Sequence, residues 1–254
     1  KDLNFAYYET SMLVEHLVTV HGLAALNAIL KDLNDGIQIN DALDRHTDGL
    51  GELEASFTKY FSELATSYAS GMDFETEELT AAKPADLDAV KVFLEQHPQN
   101  FPAILLHASL LIKADQLDLA EAELTKLIAL VPQDATINGP RRRLAEIYKR
   151  RNQSDQDIQV LTEHLKFSAD DLEAAFRLQE LCEQKQQLDR VVETGRIIFA
   201  IDPFQPTALS RTATAAEATG QIEVASRMLG CLLQIQKDDA ARLHFRIATL
   251  LKST

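Results

Sequence analysis

"AEAELTKLIALVPQD" (120–134), "VVETGRIIFAIDPFQ" (191–205) and "ASRMLGCLLQIQKDD" (225–239) superpose without a gap and mark a repeating unit. Ala120 to Val191 is 71 residues and Val191 to Ala225 is 34, so the longer interval hides a copy. That copy is "DIQVLTEHLKFSADD" (157–171), 34 residues before Val191 and 37 after Ala120. The three-residue excess fits the turn "ATINGP" (135–140). Apolar residues in each copy recur three and four apart, the spacing of one helix face.

Each copy is preceded by a partner helix: "FPAILLHASLLIKAD" (101–115), "RRRLAEIYKRRN" (141–152), "LEAAFRLQELCEQK" (172–185) and "PTALSRTATAAEATG" (206–220). A last stretch, "ARLHFRIATLLKST" (241–254), repeats the first helix of a pair. Helix pairs recurring about every 34 residues resemble tetratricopeptide repeats (TPRs). The resemblance implies small residues where the helices of a pair cross. Ala108, Ala145, Ala213 and Ala248 occupy that site in the first helices, with Gln179 as the exception. Ala120, Asp157, Val191 and Ala225 occupy it in the second, and Pro132 and Pro203 close two repeats. The family's large aromatic early in the first helix is replaced by Ile104, Ala175 and Leu209.

The expected fold is therefore all-α, an α-solenoid of TPR-like helix pairs preceded by a small helical subdomain. Its repeats run over about 101–134, 138–171, 172–205 and 206–239, with a partial one at 241–254 and a cap helix at 83–98. Such a cap shields the apolar face of an end repeat. "SYASGMDFETEELTAA" (67–82) is acidic and weakly periodic and reads as the linker. Over 1–66, Phe5, Tyr8, Met12, Leu13, Leu17 and Val20 fall at helical spacing before Gly22, and Leu23, Leu26, Ile29, Leu30 and Leu33 before Gly36. Two further helices, around "INDALDRH" and "LGELEASFTKYFSELA", complete a four-helix unit.

Residues 7–64, from "YYETSMLVEHLV" to the closing "ELEASFTKYFSEL", resemble the C-terminal helical part of the gluzincin metallopeptidases, especially the peptidase-MA-like group. By that resemblance Tyr8, in Tyr8-Glu9, would point its hydroxyl at a zinc site and stabilise the oxyanion of the tetrahedral intermediate, a role suited to a neutral donor. Zinc itself is implied only for a larger parent protein. A zinc peptidase needs two His one helical turn apart, a third ligand and a carboxylate base. No His-Glu-x-x-His occurs in the sequence. His16 and His21 are five apart, on different sides of a helix, and read as a solvated residue and a helix-end residue. The chain alone is read as non-enzymatic and without a metal site or cofactor. It opens on Lys, which is expected of a piece cut from a larger protein.

The net charge of −14 is uneven: residues 1–82 hold 15 acids and 4 bases, residues 83–254 hold 24 and 21. An acidic chain lacks the basic footprint of a nucleic-acid binder. No stretch approaches the roughly 20 apolar residues needed to cross a membrane, and no signal peptide is visible. Cys182 and Cys231 form neither a disulfide framework nor a metal knuckle and read as buried thiols. Asp170-Asp171 and Asp238-Asp239, at repeat ends, are expected to cap the following helices.

The one basic cluster is "PRRRLAEIYKRRN" (140–152). The TPR resemblance puts one face of each first helix in a concave groove and aims Arg142, Lys149 and Arg150 into it, beside Phe176. Two readings fit. The patch holds a partner's acidic segment or C-terminal carboxylate, which Arg can grip with two hydrogen bonds; or it is a solvated face whose charges pair with Glu146 and neighbouring acids. Phe176 is likewise either an anchor for a partner's apolar side chain or packing between repeats. Leu105, Ser109, Glu180 and Thr214 at neighbouring groove positions do not reproduce the Lys and Asn pattern of TPR proteins that clamp chaperone tails. The chain is thus read as a protein- or peptide-binding scaffold in a larger protein. The alternatives are the C-terminal portion of a zinc metallopeptidase whose solenoid positions substrate, and a purely structural scaffold.

Overall fold

The computed structural model describes residues 3–82 and 86–252, with side chains over 6–81 and 86–252. The expected limits at residues 1, 83 and 254 lie outside them, as does the side chain of Phe5. The chain divides between Ser70 and Gly71 into two units, and all of its described regular structure is helical apart from one isolated bridge.

The first unit holds α1 (Leu3–Asn34), α2 (Ile39–His46) and α3 (Leu50–Ser67). Gly22, at φ 80 and ψ 164, breaks α1 into the two expected pieces. A left-handed φ is open to glycine at no steric cost, which is why the break falls there. The core is small: Leu17, Ile29, Ala42 and Leu53, with Leu13, Val18, Leu26, Ile37 and Leu43 against it.

Three expectations for this unit are corrected. His16 is buried, 8 % exposed, with Nε2 3.0 Å from Ser56 Oγ and its ring stacked on Tyr60 at 5.0 Å. Tyr8, placed on the buried stripe by spacing, is 52 % exposed. The stretch Ala6–Asn34, with a mean hydropathy of 1.5, is long and apolar enough to cross a membrane by length and composition. The break at Gly22 leaves pieces of about 24 and 18 Å, each short of the roughly 30 Å hydrocarbon core.

The second unit begins with α4 (Glu77–Ala82) and α5 (Leu87–Gln96). Ahead of α4, part of the stretch read as a linker is tied down: Asp73 N donates to Gln99 O at 2.9 Å, Phe101 N donates to Asp73 O at 2.7 Å, and Phe74 stacks on Phe101. The Asn100 side-chain amide donates to Asp73 and, with the Glu75 N–H bond, holds the Asp73 carboxyl below its usual range. The Asn100 side-chain oxygen caps the next helix through Ala103 N.

Four helix pairs follow: α6 (Phe101–Lys113) with α7 (Leu117–Leu130), α8 (Pro140–Arg150) with α9 (Ser154–His164), α10 (Leu172–Gln184) with α11 (Leu188–Ile201), and α12 (Pro206–Ala218) with α13 (Ile222–Ile235). A 3₁₀ turn (Lys237–Asp239) leads to α14 (Ala240–Lys252). Each helix packs chiefly on its chain neighbours, as in a TPR-like solenoid. The crossing residues Ala108, Ala145, Gln179 and Ala213 are buried, and so are Ala120, Asp157, Val191 and Ala225. Gln179 fits a site made for Ala because its amide donates to Thr212 Oγ1 at 2.9 Å and approaches Val191 O at 3.4 Å.

The turn inside each pair also repeats. Asp115, Asn152, Gln186 and Gly220 take left-handed φ of 59, 56, 57 and 72. The next residue, always Gln, donates its N–H back to Leu111, Tyr148, Cys182 and Ala216. This 6→1 bond closes the first helix and starts the second within two residues. Of the acid pairs, Asp171 caps α10 through Ala174 N, whereas Asp239 pairs with Arg242. Cys182 is buried and Cys231 half-buried; both are free.

Candidate functional site

A cleft of about 620 Å³ opens along α8 and reaches α10, lined by Arg142, Arg143, Lys149, Arg150 and Arg177, with Glu146 and Glu173 as its carboxylates. Ile137, Asn138 and Ala145 complete the lining. The cleft brings together three of the residues read from sequence, Arg142, Lys149 and Arg150. Phe176 is not among the lining residues. It packs with Ala175, Ile198 and Ala208, with Leu165, Leu172 and Ile197 beside it, which is the inter-repeat packing role.

The cations differ in how far the protein already satisfies them. Arg142 is mostly buried; its Nε is 2.9 Å from Asp171 Oδ2 without hydrogen-bond alignment, and Nη2 is 3.0 Å from Glu173 Oε2. Asp171 also lies 2.8 Å from His164 Nε2 and caps α10, so one buried carboxylate fixes Arg142, His164 and a helix end. Burial pushes the His164 pKa below its usual value, against the opposing pull of Asp171. Arg150 donates Nη1 to Ile112 O at 2.8 Å and Nη2 to Glu146 at 2.5 Å, so it caps the carbonyl end of α6. Arg177 is paired with Asp157, its Nε donating at 3.0 Å. The side chains of Lys149 and Arg143 make no ion pair or hydrogen bond among the described residues, and the Nε of Arg143 is buried.

Arg143 and Arg177 were missed in the sequence, yet a repeat signal marks them. Two residues before the crossing site stand Arg143, Arg177, Arg211 and Arg246, a ladder spaced by 34, 34 and 35 residues. Four residues after the crossing site of the preceding first helix stand Ile112, Lys149, Glu183 and Glu217. Glu183 pairs with Arg211 at 2.9 Å and Glu217 with Arg246 at 2.7 Å. The two earlier rungs lack that carboxylate: Ile112 gives Arg143 nothing to pair with, and Lys149 stands where Arg177 would meet a Glu. The positive cleft therefore arises where the ladder loses its acids, in a chain that is otherwise strongly acidic.

Arg141, next to the cleft residues, points the other way. It is buried, donates to Asp134 O at 2.7 Å and Pro132 O at 2.5 Å, and lies 5.3 Å over the Phe167 ring. Desolvation lowers its pKa. Among the described residues no group of three or more His, Cys, Asp or Glu side chains is placed to hold a metal ion.

No family model matches the chain, and no curated protein matches it in sequence. Solved structures similar to it include MamA, 17 % identical at a TM-score of 0.45 over 61 % of this chain and 89 % of that one. A thermophilic TPR protein in Thermus thermophilus is 18 % identical, with a TM-score of 0.36 over 65 % and 88 % of the two chains. YrrB, described as a TPR protein with an unusual peptide-binding site, is 18 % identical, with a TM-score of 0.34 over 63 % and 98 %. At these scores the likenesses add nothing to the repeat geometry of the chain itself.

Proposed function

We propose that the chain is a binding scaffold whose cleft along α8 takes an acidic segment of a partner protein. One observation carries this: Lys149 and Arg143 stand in a cleft lined by five cations and two carboxylates with no internal partner. Arg142, Arg150 and Arg177 frame the cleft and are held by the fold; Lys149 and Arg143 are the two free to meet a ligand carboxylate. A buried guanidinium nitrogen without an acceptor costs free energy that a bound carboxylate would recover. The probe is a fluorescein-labelled ten-residue oligoglutamate, with oligoglutamine as its uncharged control. Saturable binding of the first alone, weakened by Lys149→Glu and by added salt, is the expected result. Equal binding of both peptides, or an unchanged affinity in the variant, would contradict the reading.

A second reading takes residues 1–66 as the C-terminal helical part of a gluzincin-like domain in a larger protein. It draws on α1, where Tyr7, Tyr8, Val14, Val20, Leu23 and Leu30 are exposed. Its test is Tyr8→Phe in the longer protein: turnover should fall with zinc content intact, and full activity would remove Tyr8 from any site.

A further inference from the structure

The repeat that supplies the cleft is longer than its neighbours: Ala120 to Asp157 is 37 residues, where Asp157 to Val191 and Val191 to Ala225 are each 34. The excess falls in the turn 135–140, directly ahead of α8. Extra residues in a surface turn ordinarily add mobility. This turn is instead fixed from inside. The buried Arg141 guanidinium donates to the carbonyls of Asp134 at 2.7 Å and Pro132 at 2.5 Å. Asp134, also buried, accepts from the backbone N–H and the hydroxyl of Thr136 at 3.2 and 3.1 Å. Gly139 N donates to Thr136 O at 2.9 Å. The turn closes so tightly that a Cβ on Gly139 would stand 2.2 Å from Asp134 Oδ1 and 2.5 Å from Thr136 Oγ1. Pro140, with its fixed φ, then opens α8.

What the fixed turn presents to the cleft is Ile137 and Asn138, and Ile137 is 54 % exposed. An apolar side chain held in water by a rigid turn contributes to binding when a ligand covers it, because little ordering remains to be done. The turn leads into α8, so Ile137 stands at the end of the cleft where Arg143 lies. Lys149 is six residues further along the helix, a rise of about 9 Å. An extended chain covers that rise in about three residues. A segment that meets both cations therefore carries two carboxylates about three residues apart, and its next side chain at the Arg143 end falls beside Ile137. The carboxylates of the cleft itself, Glu146 and Glu173, pair with Arg150 and Arg142, so those that meet Arg143 and Lys149 come from outside it.

We infer that the turn 135–140 sets the specificity of the cleft: among acidic segments of a partner protein, Ile137 selects one with a Leu-type side chain beside its carboxylates. The inference rests on the reading of the cleft as a site for an acidic segment. Charge supplies the attraction, and the apolar contact distinguishes one acidic segment from another.

Three labelled ten-residue peptides separate charge from apolar contact: oligoglutamate, and oligoglutamate with either Leu or Gln at its sixth position. The Leu and Gln peptides carry equal charge, and acids on both sides of the substitution let each lie in either direction. Fluorescence anisotropy with the full chain should show the Leu peptide binding about fivefold tighter than the Gln peptide, the gain from half-burying one Leu side chain. Ile137→Ser should abolish that gain and leave the affinity for the Gln peptide unchanged, whereas Ile137→Leu should keep it. Ile137 is exposed, so circular dichroism of both variants should match the wild type. Equal affinity of the wild type for the Leu and Gln peptides, or a gain that survives Ile137→Ser, would overturn the inference and leave the reading of the cleft standing. Binding of none of the three peptides would overturn both.

Discussion

Gly195→Ala sets two effects against each other, and the structure says which wins. Gly195 lies inside α11. Replacing a helical glycine by alanine ordinarily stabilises by about 1 kcal/mol. Here an added Cβ would stand 1.8 Å from Thr212 Oγ1, 2.7 Å from its Cγ2 and 2.8 Å from its Cβ. Thr212 cannot turn aside cheaply: it is fully buried, its hydroxyl donates to Ala208 O at 2.7 Å, and it accepts from the Gln179 amide at 2.9 Å. Overpacking a core of this kind costs about 1–3 kcal/mol, and contacts this short belong at or above the upper end. The net expectation is a loss of about 2 kcal/mol, the difference between the packing cost and the helix gain. Urea unfolding followed by circular dichroism measures it. The partner variant Thr212→Ala removes the two shortest contacts and also strands the Gln179 amide, so alone it should cost about 1 kcal/mol. Combined with Gly195→Ala, it should recover a large part of the clash, a coupling of at least about 1 kcal/mol between contacting residues. If Gly195→Ala is neutral or stabilising, α11 and α12 do not approach this closely and the crossing geometry described above is wrong.

Other expectations follow from single residues. The folded-state pKa of His164 is lowered by burial, so the unfolded chain binds the proton more readily. Its contribution to stability is complete above about pH 6.5 and is lost as pH falls below that value; urea midpoints at pH 7.5 and 5.5 should differ more in the wild type than in His164→Asn. Tyr148, desolvated and donating to Glu121, has its pKa pushed up to about 12, so absorbance titration at alkaline pH should show a late tyrosine step that Tyr148→Phe removes. Gln186 holds a left-handed φ that glycine adopts freely, and Gln186→Gly should stabilise by up to about 1 kcal/mol in the same urea assay. The Cys182 thiol is buried with a raised pKa, so a thiol reagent should modify Cys231 first and Cys182 only on unfolding.

The repeat was legible because each pair spends its most constrained residues at fixed intervals. The small residues at the crossings and the 34-residue spacing of Ala120-like stretches survive in sequence because a larger side chain there pushes two backbones apart. The left-handed turn followed by Gln repeats just as regularly, but Asp115, Asn152, Gln186 and Gly220 share a backbone angle and not a chemistry, so composition hides it. The cleft was half legible. A run of basic residues on α8 announces itself, whereas the reason its charge persists depends on acids about 30 residues away, present at Glu183 and Glu217 and absent at Ile112 and Lys149. In the first unit the pattern misled: α1 is apolar on several sides, so spacing alone could not tell that Leu17 and Ile29 are buried while Tyr8 and Leu30 are exposed. His16 was read as solvated because a lone His carries no sign of its partners, and Ser56 and Tyr60 lie some 40 residues downstream.

If the missing acids of the Arg ladder give the cleft along α8 its affinity for an acidic segment, restoring one of them should weaken that affinity. Lys149→Glu restores the carboxylate that Glu183 and Glu217 supply elsewhere, while Glu183→Gln opens a rung outside the cleft. Isothermal titration with the oligoglutamate peptide should show equal binding by the wild type and by Glu183→Gln, and clearly weakened binding by Lys149→Glu at unchanged helicity. Undiminished binding by Lys149→Glu would contradict it.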